Sequence, residues 1–233
     1  MQECPAAPAE ADPVPETAPL AVRLQMLSTE HWGLLATRSM IWNEIFTRTG
    51  MFLTTLSAAA VAIALVAQAS EFGDDFRIFA LLVLPVVLLL GVGTAIRLND
   101  ALQEDVFLVM GMNRLRRAYL DIAPELEPHF ITSGFDDLPS VFQSYNGYGR
   151  PMSMDVTPGR VLSSLAAIVS VLDCVLVGII VALLANSSSD NAAIYVTAGV
   201  LAGAATAVVA IGIVPYRAIT RAMREYQPRF PKP

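Results

Sequence analysis

Four stretches of this sequence carry at most one charge over a length that can cross a lipid bilayer, and nothing else constrains the fold as strongly. Residues 49–70 and 78–96 are uncharged, residues 161–185 are interrupted only by Asp173, and residues 192–214 are again uncharged. A helix needs about 20 apolar residues to cross the hydrocarbon core. None of the four alternates polar and apolar residues as a barrel strand does. Helices satisfy their own backbone hydrogen bonds in hydrocarbon, so helices are expected. The fold class that follows is an all-α membrane protein with four transmembrane helices.

The composition is consistent with that reading. Charged residues make up 15% of the chain, against about 25% in an ordinary soluble domain. The net charge of −6 gives no support for a nucleic-acid partner. The two cysteines, Cys4 and Cys174, lie in a polar tail and in the third apolar run, so neither a disulfide framework nor a thiolate metal site is expected.

Orientation follows from the basic residues. Arg23, Arg38 and Arg48 precede the first span. Arg97, Arg114, Arg116, Arg117, Arg150 and Arg160 lie between the second and third. Arg217, Arg221, Arg224, Arg229 and Lys232 follow the fourth, and only Arg77 falls in the remaining two loops. With 14 of 15 basic residues on one side, the expectation is a multi-pass protein of the plasma (inner) membrane with both termini cytoplasmic.

Residues 1–22 form a Pro- and Ala-rich acidic tail without the pattern of a signal peptide, read as disordered. Residues 23–48 form an amphipathic cytoplasmic helix. Spans one and two occupy 49–96. Residues 97–160 hold a cytoplasmic helix, expected to end near Pro124, and then an irregular Pro/Gly-rich loop from 125 to 160. Spans three and four occupy 161–214, and 215–233 is a basic tail. Within 24–45 a stripe at alternating spacings of three and four (Leu24, Leu27, His31, Leu34, Arg38, Ile41, Ile45) marks one helix face. Leu98, Leu102, Val106, Val109, Met110 and Met112 continue the second span as a similar stripe. The apolar Phe107–Met110 cluster is expected to pack on the helix that carries Trp32 and Trp42, or on a neighbouring subunit.

Asp173 stands out as the midpoint of its span. A carboxylate there costs about 2.5–3.5 kcal/mol on insertion scales, so it should face protein rather than lipid. Ser170 and Ser163 follow it towards the cytoplasm at helical spacing, and the three together form a candidate ion pathway. The bland alternative is a neutral acid hydrogen-bonded to another helix, for example at Thr206. Gly199 and Gly203 form a G-x-x-x-G, which favours close helix packing, within one subunit before a dimer face. Gly203 should lie near the depth of Asp173. Pro85, with Gly91 and Gly93 beyond it, marks a kink in the second span. Arg114, Arg116 and Arg117 read as a solvated or salt-bridged face, whereas the acids Asp100, Glu104 and Asp105 read as surface charge and do not form a calcium loop. Catalytic motifs are absent, so no catalytic residue, metal or cofactor is expected.

The helix over 24–48 running into the first span, and the second span continuing as a long cytoplasmic helix, resemble bacterial SLATT-type two-span effectors over residues 23–122. That resemblance implies a pore-forming role. The runs 34–39 and 113–119 are also similar to uncharacterised actinobacterial membrane proteins. Two functions compete. One is a homo-oligomeric channel or pore-forming protein in the lipid bilayer. The other is a non-conducting anchor or scaffold that presents helices to a cytoplasmic protein partner.

Overall fold

A computed structural model describes residues 18–146, 164–186, 191–214, 217 and 228–232. Among these the secondary structure is helical, with four helices long and apolar enough to cross a membrane. Helix α1 spans Leu20–Ala69 as one element of 50 residues. Helix α2 spans Asp74–Ile122, 49 residues. Each is about 75 Å long at 1.5 Å per residue, more than twice the thickness of a hydrocarbon core. Both helices therefore project beyond the membrane, and their polar halves pair with each other on the same side.

Helix α1 begins directly after Pro19, three residues earlier than the sequence boundary at 23 suggests. Its end is forced by a tight turn. The N–H of Ser70 still reaches the Val66 carbonyl, but Glu71 and Phe72 take φ of 47° and 61°. Side chains adopt this left-handed region at some energetic cost. Phe72 meets Phe76 edge-on across the turn. Asp74 and Asp75 then occupy the first turn of α2, where carboxylates favour the positive helix end.

Pro85 lies inside α2 without ending it. It cannot donate to the carbonyl one turn earlier, yet helix continues on both sides. The helix stops at Ile122, before Pro124, as the proline requires.

The segment beyond departs from the expected irregular loop. Pro124–His129 forms a 3₁₀ turn, and Leu138–Asn146 forms a short helix, α3. The reason is apolar burial. Val141 and Leu138 pack on Val109, Met110 and Met112 of α2, with Leu34 of α1 closing the cluster. Leu138, Val141, Phe142 and Tyr145 do stand at helical spacing, but the signal covers only two turns and lies among prolines and glycines. The same cluster accommodates Val109 and Met110, whereas Phe107 stays exposed. Residues 147–163, which include the expected Thr157-Pro158 helix start, lie outside the described residues.

Helix α4 spans Leu165–Asn186, and α5 spans Ala192–Ala207 before widening into a π-helical turn at Val208–Ile213. Asn191 caps α5, its side-chain oxygen accepting from the Ala193 N–H. The four long helices pack as a row in the order α1, α2, α4, α5. Among the described residues α1 and α5 make no substantial contact with each other. The apolar core lies along the row, with Phe52, Ala59, Ala80, Leu84, Val87, Val169 and Leu176 at its centre.

Candidate functional site

Asp173 is buried in α4 and faces α2 rather than lipid. The contact point is Gly91. A β-carbon placed there would lie 1.8 Å from Oδ1 of Asp173 and 2.8 Å from Cε2 of Phe52. The absent side chain thus makes the notch that the carboxyl fills. Among the described residues Oδ1 of Asp173 has no hydrogen-bond partner. The hydroxyl of Thr206, one candidate partner, is donated to the Ala202 carbonyl in its own helix. Ser170 is buried one turn from Asp173, and Ser163 lies outside the described residues. Gly93, two residues from Gly91, faces open space beside α1.

The G-x-x-x-G packs within the chain. A β-carbon on Gly199 would lie 2.6 Å from the Gly178 carbonyl oxygen, and one on Gly203 would lie 3.0 Å from that of Cys174. Gly203 therefore lies level with the residue that follows Asp173. Gly178 completes this seam and was not singled out from the sequence. Its signal is the four-residue spacing of Cys174, Gly178 and Ala182, a second run of small residues.

Helix α1 exposes large apolar side chains such as Phe46, Met51, Leu53 and Leu65, but one of its open strips is of a different kind. On α2 the exposed membrane face carries Leu82, Val86 and Leu89, as lipid requires. The apolar segment of α1 is little buried, yet one exposed strip reads Thr47, Gly50, Thr54, Ser57, Val61, Ala64, Gln68, at spacings of three and four throughout. The hydroxyls of Thr47, Thr54 and Ser57 donate to carbonyls four residues back. This satisfies their protons and leaves acceptor oxygens facing outward. At the polar end of this strip, Thr47 also borders a groove of about 710 Å³ between α1 and α2, lined by Met51, Phe52, Leu90 and Gly93.

Above the groove the charges are paired. Glu44 accepts from Arg48 at 2.7 Å and from Arg97 at 2.9 Å, and Arg97 also reaches Glu104 at 2.9 Å. Hydrogen bonds from Arg97 and Arg48 hold the Glu44 carboxyl down at about 2.

Further from the membrane, Asp105 corrects the reading of surface charge. Its side chain is 1% exposed. It accepts from Arg38 at 2.6 Å and 3.1 Å, from the Trp42 indole at 3.1 Å and from the Tyr145 hydroxyl at 2.6 Å. This one carboxylate ties α1, α2 and α3 together. Burial pushes its carboxyl up, but the hydrogen bonds from Arg38, Tyr145 and Trp42 outweigh that and hold it below the usual range. Tyr145 shifts upward, through burial and the bond to Asp105.

The basic cluster is divided among separate partners. Arg114 meets the buried Asp136 at 2.7 Å, Arg116 donates to Asn113, and Arg117 pairs with Asp121 while stacking over Phe135. Asp136 also accepts from the backbone N–H groups of Arg229 and Phe230, and its own N–H reaches the Phe230 carbonyl. The C-terminal segment is thus fastened to the polar half. His31 lies half-buried beside Tyr119, a packed position. Among the described residues no group of histidines, cysteines and acids is arranged to hold a metal ion.

Comparison with known protein families, curated proteins and solved structures finds no match.

Asp105 and Glu44 both ionise at lower pH in the folded chain than in the unfolded one. Their stabilisation is present above about pH 4, the usual carboxylate range, and is lost as pH falls through the folded values. Acidification towards pH 2, where Glu44 titrates, is therefore expected to loosen the polar half while the apolar spans stay helical. A change in Trp42 fluorescence ahead of any loss of far-ultraviolet helix signal is the expected result.

Proposed function

We propose that the protein is a homo-oligomeric channel or pore-forming protein of the plasma membrane, in which α1 lines the path and the paired halves of α1 and α2 project into the cytoplasm. The observation that carries this reading is the strip from Thr47 to Gln68. It is one exposed strip of a membrane helix that elsewhere exposes Phe46, Met51, Leu53 and Leu65, and apart from Val61 it is built of small or polar residues, where α2 presents large aliphatic side chains. Lipid gives hydroxyl oxygens nothing to bond with, whereas water in a path does. The open row of helices supports the same reading. A row with two unpartnered ends closes when copies assemble around an axis, and closed symmetry is the usual form of a soluble homo-oligomer. The resemblance to SLATT-type effectors implies such a role too.

Asp173 does not belong to this lining, because its side chain is buried between α2 and α4. The lining is thus assigned to α1 instead of to the candidate pathway through Asp173, Ser170 and Ser163.

The orientation rests on the basic-residue asymmetry. A reporter fused after Pro233 is expected to be active only in the cytoplasm, and a cysteine introduced at Ser188 is expected to be labelled from outside. Purified protein in planar bilayers is expected to give unitary currents. Silent bilayers containing folded, correctly oriented protein would favour the second reading, an anchor for a cytoplasmic protein. That reading draws on the ordered polar half, where α3 and residues 228–232 dock around Asp105 and Asp136.

A further inference from the structure

The carboxyl of Asp173 has no task in a path lined by α1, and among the described residues it has no ion-pair partner. Its side chain is 5% exposed, and Oδ1 is buried without a hydrogen bond. At the notch it meets the bare backbone of Gly91 from α2, with the ring of Phe52 from α1 beside the same point. Neither carries charge. On the far side of α4, α5 presents Gly203 to the backbone of Cys174, the adjacent titratable side chain. Arg48 and Arg97 both donate to Glu44 at the polar end of the α1–α2 groove.

A carboxylate without partners in such surroundings is strongly disfavoured against the neutral acid. The neutral acid fits the notch that Gly91 provides, and α2 with α4 is the main seam between the α1–α2 pair and the α4–α5 pair. We propose that Asp173 and the notch at Gly91 form a proton-binding site that locks α4 onto α2. The bound proton keeps the two pairs together. When it leaves, the charged carboxylate must withdraw towards water, and the seam opens. The ligand is the proton itself, and loading needs no other reactant. The site stands whether or not α1 lines a pore.

The test uses the full chain in lipid vesicles, with spin labels on cysteines placed at Leu89 of α2 and Val175 of α4, and with Cys4 and Cys174 replaced by alanine. Infrared difference spectra between the chain with Asp173 and Asp173→Asn are expected to show one protonated carboxyl per chain at neutral pH. As pH rises that band is expected to disappear while the label distance lengthens. Asp173→Asn, which keeps the shape and cannot ionise, should hold the short distance at every pH. Gly91→Ala, whose methyl takes the carboxyl's place, should give the long distance at neutral pH with the acid still present. Absence of the band at neutral pH overturns the proposal. So does a band that persists at every pH at which the chain stays folded, or a distance that does not follow the band.

Discussion

Asp105→Ala is expected to cost about 3 kcal/mol of stability, the lower end of the range for breaking a buried ion pair. The lower end applies because Arg38 is 33% exposed and regains water when its partner goes. The Trp42 indole and the Tyr145 hydroxyl lose their acceptor as well, so α3 loses one of its ties to the helix pair. Asp105→Asn keeps an acceptor oxygen without the charge and should cost about 1–2 kcal/mol. Denaturant unfolding followed by tryptophan fluorescence measures both, since both tryptophans lie in α1. Equal stability of the alanine variant would show that the three elements are held by the Val109–Val141 cluster alone.

That contact also shows what the sequence could and could not disclose. The stripe from Leu27 to Ile45 is the face of α1 that packs on α2, because helical spacing survives unchanged from sequence to structure. Arg38 already stood within that stripe, and Asp105 continues the apolar positions Leu98 and Ala101 on α2 at helical spacing. Opposite charges that each interrupt an apolar stripe were the available signal for a buried pair. Which stripe faces which helix is a tertiary fact, so Asp105 read as surface charge. Asp136 gave no comparable signal. Beside Arg114 its partners are the backbone N–H groups of Arg229 and Phe230, more than 90 residues away, and backbone groups have no sequence signature. The burial of Asp173 was legible from its depth in an uncharged span, whereas its contact with Gly91 was not. Gly91 drew notice as a candidate for bending and serves as a gap for a side chain from another helix.

Gly199→Leu is expected to force α4 and α5 apart and to cost about 3 kcal/mol, the upper part of the usual range for overpacking. The obstruction is backbone, which yields less readily than a flexible side chain. A β-carbon at this position would lie 2.6 Å from the Gly178 carbonyl oxygen and 2.9 Å from Cβ of Ala182. Gly212→Ala is the matched control. A β-carbon there meets nothing within 4 Å, so its effect should stay within about 0.5 kcal/mol. Thermal unfolding in detergent separates the two. Similar melting of the two variants would mean that the α4–α5 seam contributes little to holding the row together.

If the exposed strip of α1 faces water in an assembled pore, Ser57 is accessible from that water. Ser57 lies midway along the strip, and its side chain points away from the rest of the chain. The measurement is single-channel current through Ser57→Cys, in a chain with Cys4 and Cys174 replaced by alanine, during exposure to a charged thiol reagent that does not cross membranes. The predicted result is a stepwise, irreversible fall in unitary current in the Ser57→Cys channel. Leu82→Cys on the lipid-facing side of α2 should show none. Unitary currents that persist unchanged in Ser57→Cys under the same reagent would mean that α1 does not line the path.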